Sequence, residues 1–172
     1  MSVTTRLLSC DDVPVLAPLI RANREFLAPW DPLRSEDYFT DEFQATLVRN
    51  SLAQHEAGST VPHVILLDGE VVGRITLSNI VRGPFQSTNM GYWVARSVNG
   101  RGVATAAVAI LLRVAFLEYQ LHRVEAGTLV HNVGSQRVLE RNGFMRFGLA
   151  PRYLQIAGEY QDHVLFQRLA DD

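Results

Sequence analysis

The order of apolar and polar positions divides the chain into a helical first third and a strand-rich remainder. Val3, Arg6, Leu7 and Leu8 predict a short opening strand. Ser9-Cys10-Asp11-Asp12 then offers capping side chains for a helix that carries Leu16, Leu19, Ile20 and Phe26 and stops by Pro29. Ser35-Glu36-Asp37 can cap a second helix, with Phe39, Phe43, Leu47 and Leu52 at helical spacing until Gly58. Residues 63–67, Asp68-Gly69 and residues 71–77 predict a hairpin, because Asp-Gly supplies the positive φ angles of a tight type I′ turn. A strand from about residue 88 to 95 leads through Asn99-Gly100-Arg101-Gly102 into a helix whose apolar side is Val103, Ala106, Ala107, Ile110, Leu111 and Val114. Residues 123–130 predict the next strand and 132–141 a short helix that Asn142-Gly143 stops. Residues 144–149 and 163–169 predict closing strands, with Ala157-Gly158-Glu159 as a turn tip between them. The expected architecture is α/β with a mixed sheet. No linker is long enough to separate independent domains, so residues 1–172 read as one domain.

The chain has 172 residues, enough for an ordinary domain that buries roughly 70% of the surface its unfolded chain exposes. Its 16 basic and 18 acidic residues give a net charge of −2. That excludes a free-standing nucleic-acid binder that relies on neutralising phosphates, and no DNA partner is expected. Cys10, the one cysteine, cannot form an internal disulfide, and no basic, apolar and small-residue sequence typical of a secretory leader opens the chain; a cytoplasmic location is expected. Residues 103–112 form the longest apolar stretch, well short of the roughly 20 that span a bilayer, so no membrane span is expected. The five histidines show no ligand pair four residues apart and no cysteine partners, which argues against a metal.

Gly100 and Gly102 fall between a strand and a helix, where the missing β-carbons let a ligand touch the backbone and the unpaired first-turn N–H groups point outward. A diphosphate there gains oriented donors and the positive end of the helix dipole, with Arg101 as countercharge; the plainer alternative is that the glycines only form a turn. Two familiar phosphate loops lack essential residues here. A Walker A loop ends in Gly-Lys-Ser/Thr, whereas Val103-Ala104 follows Gly102. A dinucleotide fingerprint needs a third glycine where Thr105 stands.

Asn99-Gly100-Arg101-Gly102-Val103-Ala104 resembles the acyl-CoA pyrophosphate loop of GNAT acetyltransferases, with Asn99 in place of the usual Gln or Arg. Asn132-x-x-Ser135 and Gly143-Phe144 resemble a second GNAT signature. The segment Asn23 to Pro32, Leu77 to Gly83, His122-Arg123, Tyr153-Leu154 and Asp162-His163 are similar to RimJ-type (RimJ/RimL-like) ribosomal-protein-alanine N-acetyltransferases. The resemblance implies a GNAT fold, a mixed, mostly antiparallel central sheet with helices on both faces. It also implies acetyl-CoA as co-substrate without a metal. Trp93, Val94, Asn99, Gly100, Arg101, Gly102, Val103, Ala104, Thr105, Asn132 and Ser135 are then expected at the cofactor, and Asn23, Phe26 and Trp30 at the acceptor. Ala106 departs from the family, where a glutamate is common, and Leu139 stands where some GNAT enzymes place a tyrosine acid.

Acetyl transfer needs an uncharged amine aligned with a thioester, donors for the developing oxyanion and an exit for one proton. Deprotonating an α-amine of pKa about 7.8 at neutral pH costs about 1 kcal/mol, against about 4.6 for a lysine amine. One modestly placed carboxylate therefore suffices, and Glu25, Glu125 and Asp162 are the candidates; Glu25 or Asp31 is available to a cationic amine. With no tyrosine at position 139, the resemblance assigns the leaving thiolate's proton to Ser135, with Asn132 fixing it. The acceptor implied is a protein N-terminus, an alanine of a small-subunit ribosomal protein, with a possible ribosome contact and a monomeric or homodimeric state. Two rival functions stand beside it: a small-amine acetyltransferase (polyamine, antibiotic or amino acid), and a ribosome-associated binding module with weak chemistry.

Overall fold

β1 (Val3–Leu7) lies antiparallel to β2 (Val61–Leu67), which turns at Asp68-Gly69 into β3 (Glu70–Val81). Asp68 and Gly69 take φ of 51° and 91°, the left-handed pair that the hairpin sequence demands. β4 (Ser87–Val94) continues the antiparallel run, and β5 (Arg123–Leu129), β6 (Met145–Ile156) and β7 (Glu159–Leu169) complete the sheet. In this computed structural model, which describes residues 1–171, the seven strands are ordered β1-β2-β3-β4-β5-β7-β6. Only β4 and β5 run parallel among the pairs. The sheet is mixed and mostly antiparallel, as the GNAT resemblance implied.

Both faces are covered, and the strand alternation shows by what. Ile65, Ile75 and Leu77 are fully buried with Ala107, Val108 and Leu111 of α4 (Val103–Arg113) on one face. Val64 is buried on the other face with Leu16 of α1 (Val13–Ala22) and Val48 of a later helix. Because successive strand residues point to opposite faces, Arg74, Thr76 and Ser78 of β3 share the face that carries α1.

The helical region departs from its prediction at two places. The first helix does not run on toward Pro29. It breaks at Asn23 (φ −105°, ψ 8°), after which α2 (Arg24–Leu27) adds a single turn. Asn23 replaces the lost helical continuity with its own amide, donating Nδ2–H to the Leu19 carbonyl at 2.8 Å and accepting from Arg96 N–H at 2.8 Å. The other departure concerns the cap of α3 (Asp41–Glu56). Ser35 makes no capping bond, and residues 36–39 form a 3₁₀ turn. Thr40, extended at ψ 152°, is the cap, its Oγ1 accepting from Phe43 N–H at 3.2 Å. α5 (Val133–Arg141) starts and stops where expected, and the last two strands are longer than predicted because pairing continues to the Ala157-Gly158 tip.

Asp12 anchors the start of the first helical segment. Its buried carboxylate accepts from Arg6 Nη1 at 2.8 Å and Nη2 at 2.6 Å, and from Ser9 N–H at 2.8 Å. The Arg6 guanidinium, helped by the Ser9 amide, holds this carboxyl below the usual carboxylate range against the opposing effect of burial. A depressed folded pKa contributes stability that is present above the ordinary value and lost as pH falls through the folded one. Asp12→Ala is therefore expected to cost about 2 kcal/mol at pH 7 and to flatten the acid loss of stability below about pH 4. Urea melts at pH 7 and pH 3 measure both effects.

Candidate active site

β4 pairs with β5 at three positions only, Ser87 with Arg123, Thr88 with Val124 and Asn89 with Glu125. Past Asn89, β4 stays bonded to β3 as far as Val94, and β5 goes on pairing with β7 to Leu129. The two neighbours therefore diverge, and the β5-facing backbone groups of residues 90–94 have no strand partner. Two cavities of about 570 Å³ each flank this open edge.

The first cavity is walled by Trp93 and Val94 of β4, by Asn99, Gly100 and Gly102, and by Val103, Ala104 and Thr105 in the first turn of α4. Gly100 and Gly102 sit at φ 76° and 80°, a region that L side chains rarely adopt, and a Cβ on either would stand in open space with no atom within 4 Å. No side chain caps α4, and its first helical bond is Ala106 N–H to the Gly102 carbonyl at 3.0 Å. The amides of Val103, Ala104 and Thr105 thus precede the helical ladder at the positive end of the dipole. Asn142 braces this turn from α5, its Nδ2 donating to the Thr105 carbonyl at 3.1 Å and to the Val138 carbonyl at 2.9 Å. This donor set fits a diphosphate. Arg101 is exposed and does not line the cavity. The arginines that do line it are Arg137 and Arg141 of α5.

Asn132 and Ser135 close the other end of the same cavity. The Asn132 side-chain oxygen accepts from Ser135 N–H at 3.1 Å, capping α5. Ser135 Oγ lies 2.8 Å from Tyr92 Oη. Burial pushes the Tyr92 phenol up to about 12, with the Ser135 hydrogen bond opposing it. Tyr92 is a cavity residue that the sequence did not single out. The divergence of β4 from β5 brings Tyr92 to α5. Leu139, where some GNAT enzymes place a tyrosine, is fully buried in the core.

The second cavity lies on the α1 face of the sheet and meets the first at Leu27, Tyr92 and Trp93, which line both. Asp31 is the one acidic residue that lines either cavity. Burial pushes its carboxyl up, partly offset by Arg34, whose Nε lies 3.7 Å away.

The remaining candidates separate on position. Phe26 and Trp30, expected at the acceptor, line the first cavity, where Trp30 packs on His131 with ring centroids 5.6 Å apart. Asn23 lines neither cavity, since both ends of its amide are used to join α1 to the loop after β4. The structure does not bring Glu25 or Glu125 to either cavity: Glu25 is exposed on α2, and Glu125 accepts from Arg123 Nε at 2.6 Å along β5. Asp162 is likewise outside, accepting from Arg152 N–H at 2.8 Å. Among the described residues no group of three or more His, Cys, Asp or Glu is placed to hold a metal ion.

Residues 3–145 match the family model for the acetyltransferase (GNAT) domain. The chain belongs to this family. It is 32% identical to the probable N-acetyltransferase YjcK of Bacillus subtilis, over 99% of this chain and 96% of that one. It is 34% identical to the ribosomal protein uS5-alanine N-acetyltransferase of Escherichia coli, over 95% of this chain and 85% of that one. Mycobacterium smegmatis RimJ, solved in complex with CoA-disulfide, superposes with a TM-score of 0.95 at 35% identity, covering 98% of this chain and 82% of its own. As a GNAT N-acetyltransferase, this chain acts on an amine with the acetyl thioester of coenzyme A.

If the bare amides around Gly102 hold the diphosphate, a side chain there obstructs it. Gly102→Val is expected to weaken coenzyme A binding at least about ten-fold, or about 1.4 kcal/mol. Gly58→Val, at an equally strained φ of 78° with open space around its Cβ, lowers the melting temperature without changing that affinity. Isothermal calorimetry of both variants separates backbone strain from obstruction.

Proposed function

We propose that this GNAT enzyme acetylates the N-terminal α-amine of a protein, specifically the N-terminal alanine of a small-subunit ribosomal protein. The observation that carries this reading is the meeting of the two cavities at Tyr92 and Trp93. One cavity offers backbone amides and Ser135; the other offers Asp31 in a pocket walled by α1, α2 and the following loop. Two relatives support the choice of acceptor: the Escherichia coli protein acts on the alanine of uS5, and the 35%-identical neighbour is a RimJ.

Acetyl-CoA supplies an acyl group already activated as a thioester. The protein itself contributes positioning and proton handling. Gly100, Gly102 and the amides of residues 103–105 hold the diphosphate, with Arg137 and Arg141 as countercharges, and the unpaired edge of residues 90–94 presents backbone groups to the pantetheine amides. Asp31 draws the amine in and takes its proton. Its burial raises its pKa toward the range in which a carboxylate serves as a base, and an α-amine asks little of that base. Ser135 Oγ donates a hydrogen bond to the departing thiolate sulfur, which takes its proton from solvent as coenzyme A leaves. Tyr92 Oη orients that hydroxyl and, with its pKa near 12, stays protonated throughout the working range.

All sixteen cationic side chains are arginines, so the enzyme offers no lysine amine of its own to confuse the assay. Mass spectrometry after incubation with acetyl-CoA and the N-terminal peptide of uS5 is expected to find one acetyl group, on the α-amine, with an internal lysine left free. Rapid acetylation of polyamines or aminoglycosides with the peptide untouched contradicts the reading. On the peptide, kcat/KM is expected to rise about ten-fold per pH unit up to about pH 7.8, where the amine itself titrates, and then level off. Because the Tyr92 phenol titrates near 12, no falling limb follows below about pH 10. Tyr92→Phe lowers kcat by about ten-fold or more with little change in the KM for acetyl-CoA.

A further inference from the structure

Three guanidinium groups line the second cavity: those of Arg24, Arg34 and Arg74. Two are engaged by the protein itself. Arg24 pairs with Glu36 and lies over the Phe39 ring at 4.3 Å, and Arg34 pairs with Asp31 and lies over the Tyr38 ring at 4.4 Å. Arg74 differs on both counts. No carboxylate among the described residues forms an ion pair with it and no ring lies under it. Its Nε is buried with no hydrogen-bond acceptor. The carboxylate whose charge reaches it, Asp12, is already committed through both oxygens to Arg6 and through one of them to the Ser9 amide.

A half-buried cation whose Nε is orphaned is costly, and the orphaned group is a donor rather than an acceptor. Arg74 stands in the middle of β3, held between Gly73 and Ile75, which pack into the opposite face of the sheet. It is therefore fixed by the strand. Thr76 and Ser78, two and four residues on, point to the same side and line the same cavity, giving two hydroxyls beyond the guanidinium. The group that fits this row is planar and negative, with two oxygens to accept from the terminal guanidinium nitrogens together.

We propose that the second cavity selects acceptors that carry a carboxylate close to the reacting amine, with Arg74 holding the carboxylate and Asp31 the amine. This deepens the acetyl-transfer reading and rests on it. Asp31 and Arg74 give the cavity one pole of each sign, which orients an acceptor of the opposite pattern. Two sources supply such a carboxylate: an aspartate or glutamate side chain within the first residues of a peptide, and the α-carboxylate of a free amino acid.

The experiment measures kcat/KM for alanine-starting peptides with glutamate, glutamine or lysine at the second and third positions in turn, and for free alanine and aspartate. Wild-type enzyme is expected to favour a glutamate peptide over its glutamine counterpart by about ten-fold or more, and the lysine peptide to be poorest. In Arg74→Gln the glutamate-to-glutamine ratio falls to about one, and in Arg74→Lys, which keeps the charge and loses the fork, it falls between the two. Calorimetric binding of coenzyme A to each variant certifies that it is folded, and the wild-type ratio needs no variant. Peptides acetylated at equal rates whatever their charge overturn this proposal and leave α-amine transfer standing. Free aspartate favoured over every peptide supports the carboxylate pole and overturns the protein acceptor. No transfer to any of these amines overturns both.

Discussion

The end of β4–β5 pairing after Asn89 is the constraint from which the site follows. A sheet that stayed paired to Val94 would satisfy its backbone groups internally and leave nothing for a ligand to bond. Because the strands diverge, residues 90–94 keep an open edge, α4 can bring its uncapped N-terminus up to that edge, and α5 enters from the β5 side with Ser135. The two cavities are the two sides of this divergence. Tyr92 and Trp93 stand where they meet.

The chemistry asked of the side chains is small, and the structure is built accordingly. There is no clustered metal-ligand set among the described residues and no buried acid–base pair at the junction. Instead there is a hydroxyl held by a phenol, a carboxylate whose burial lifts its pKa, and main-chain amides at a helix start. Fixed dipoles of this kind need no rearrangement during reaction, and such preorganisation is usually the largest contribution to catalysis of this type. The cationic side chains around the cavities divide the labour. Arg137 and Arg141 line the cavity at the start of α4, whereas Arg24, Arg34 and Arg74 line the cavity on the α1 face.

What the sequence made legible was local. Asp68-Gly69 dictated its hairpin, Gly100 and Gly102 a turn between strand and helix, and residues 132–141 a short helix, because each is set by a few adjacent residues. Long-range pairings were not legible. Tyr92 meets Ser135 across 43 positions of sequence, and nothing near either residue announces it. Arg74 in a strand pattern reads as a solvent-facing position until α1 and the loop after it are seen to cover that face. Asn23 lies in a segment that resembles an acceptor-binding stretch, yet its amide is a strut between α1 and Arg96. Glu125 shares its side of β5 with Arg123 two residues away and pairs with it, outside both cavities.

The amides at the start of α4 and the open edge of β4 hold the site together, and amide hydrogen exchange on adding coenzyme A reads both. Protection of residues 100–105 and 90–94, with residues 33–39 of the acceptor side unchanged, is the predicted pattern. Binding of coenzyme A that leaves residues 100–105 exchanging as before contradicts it.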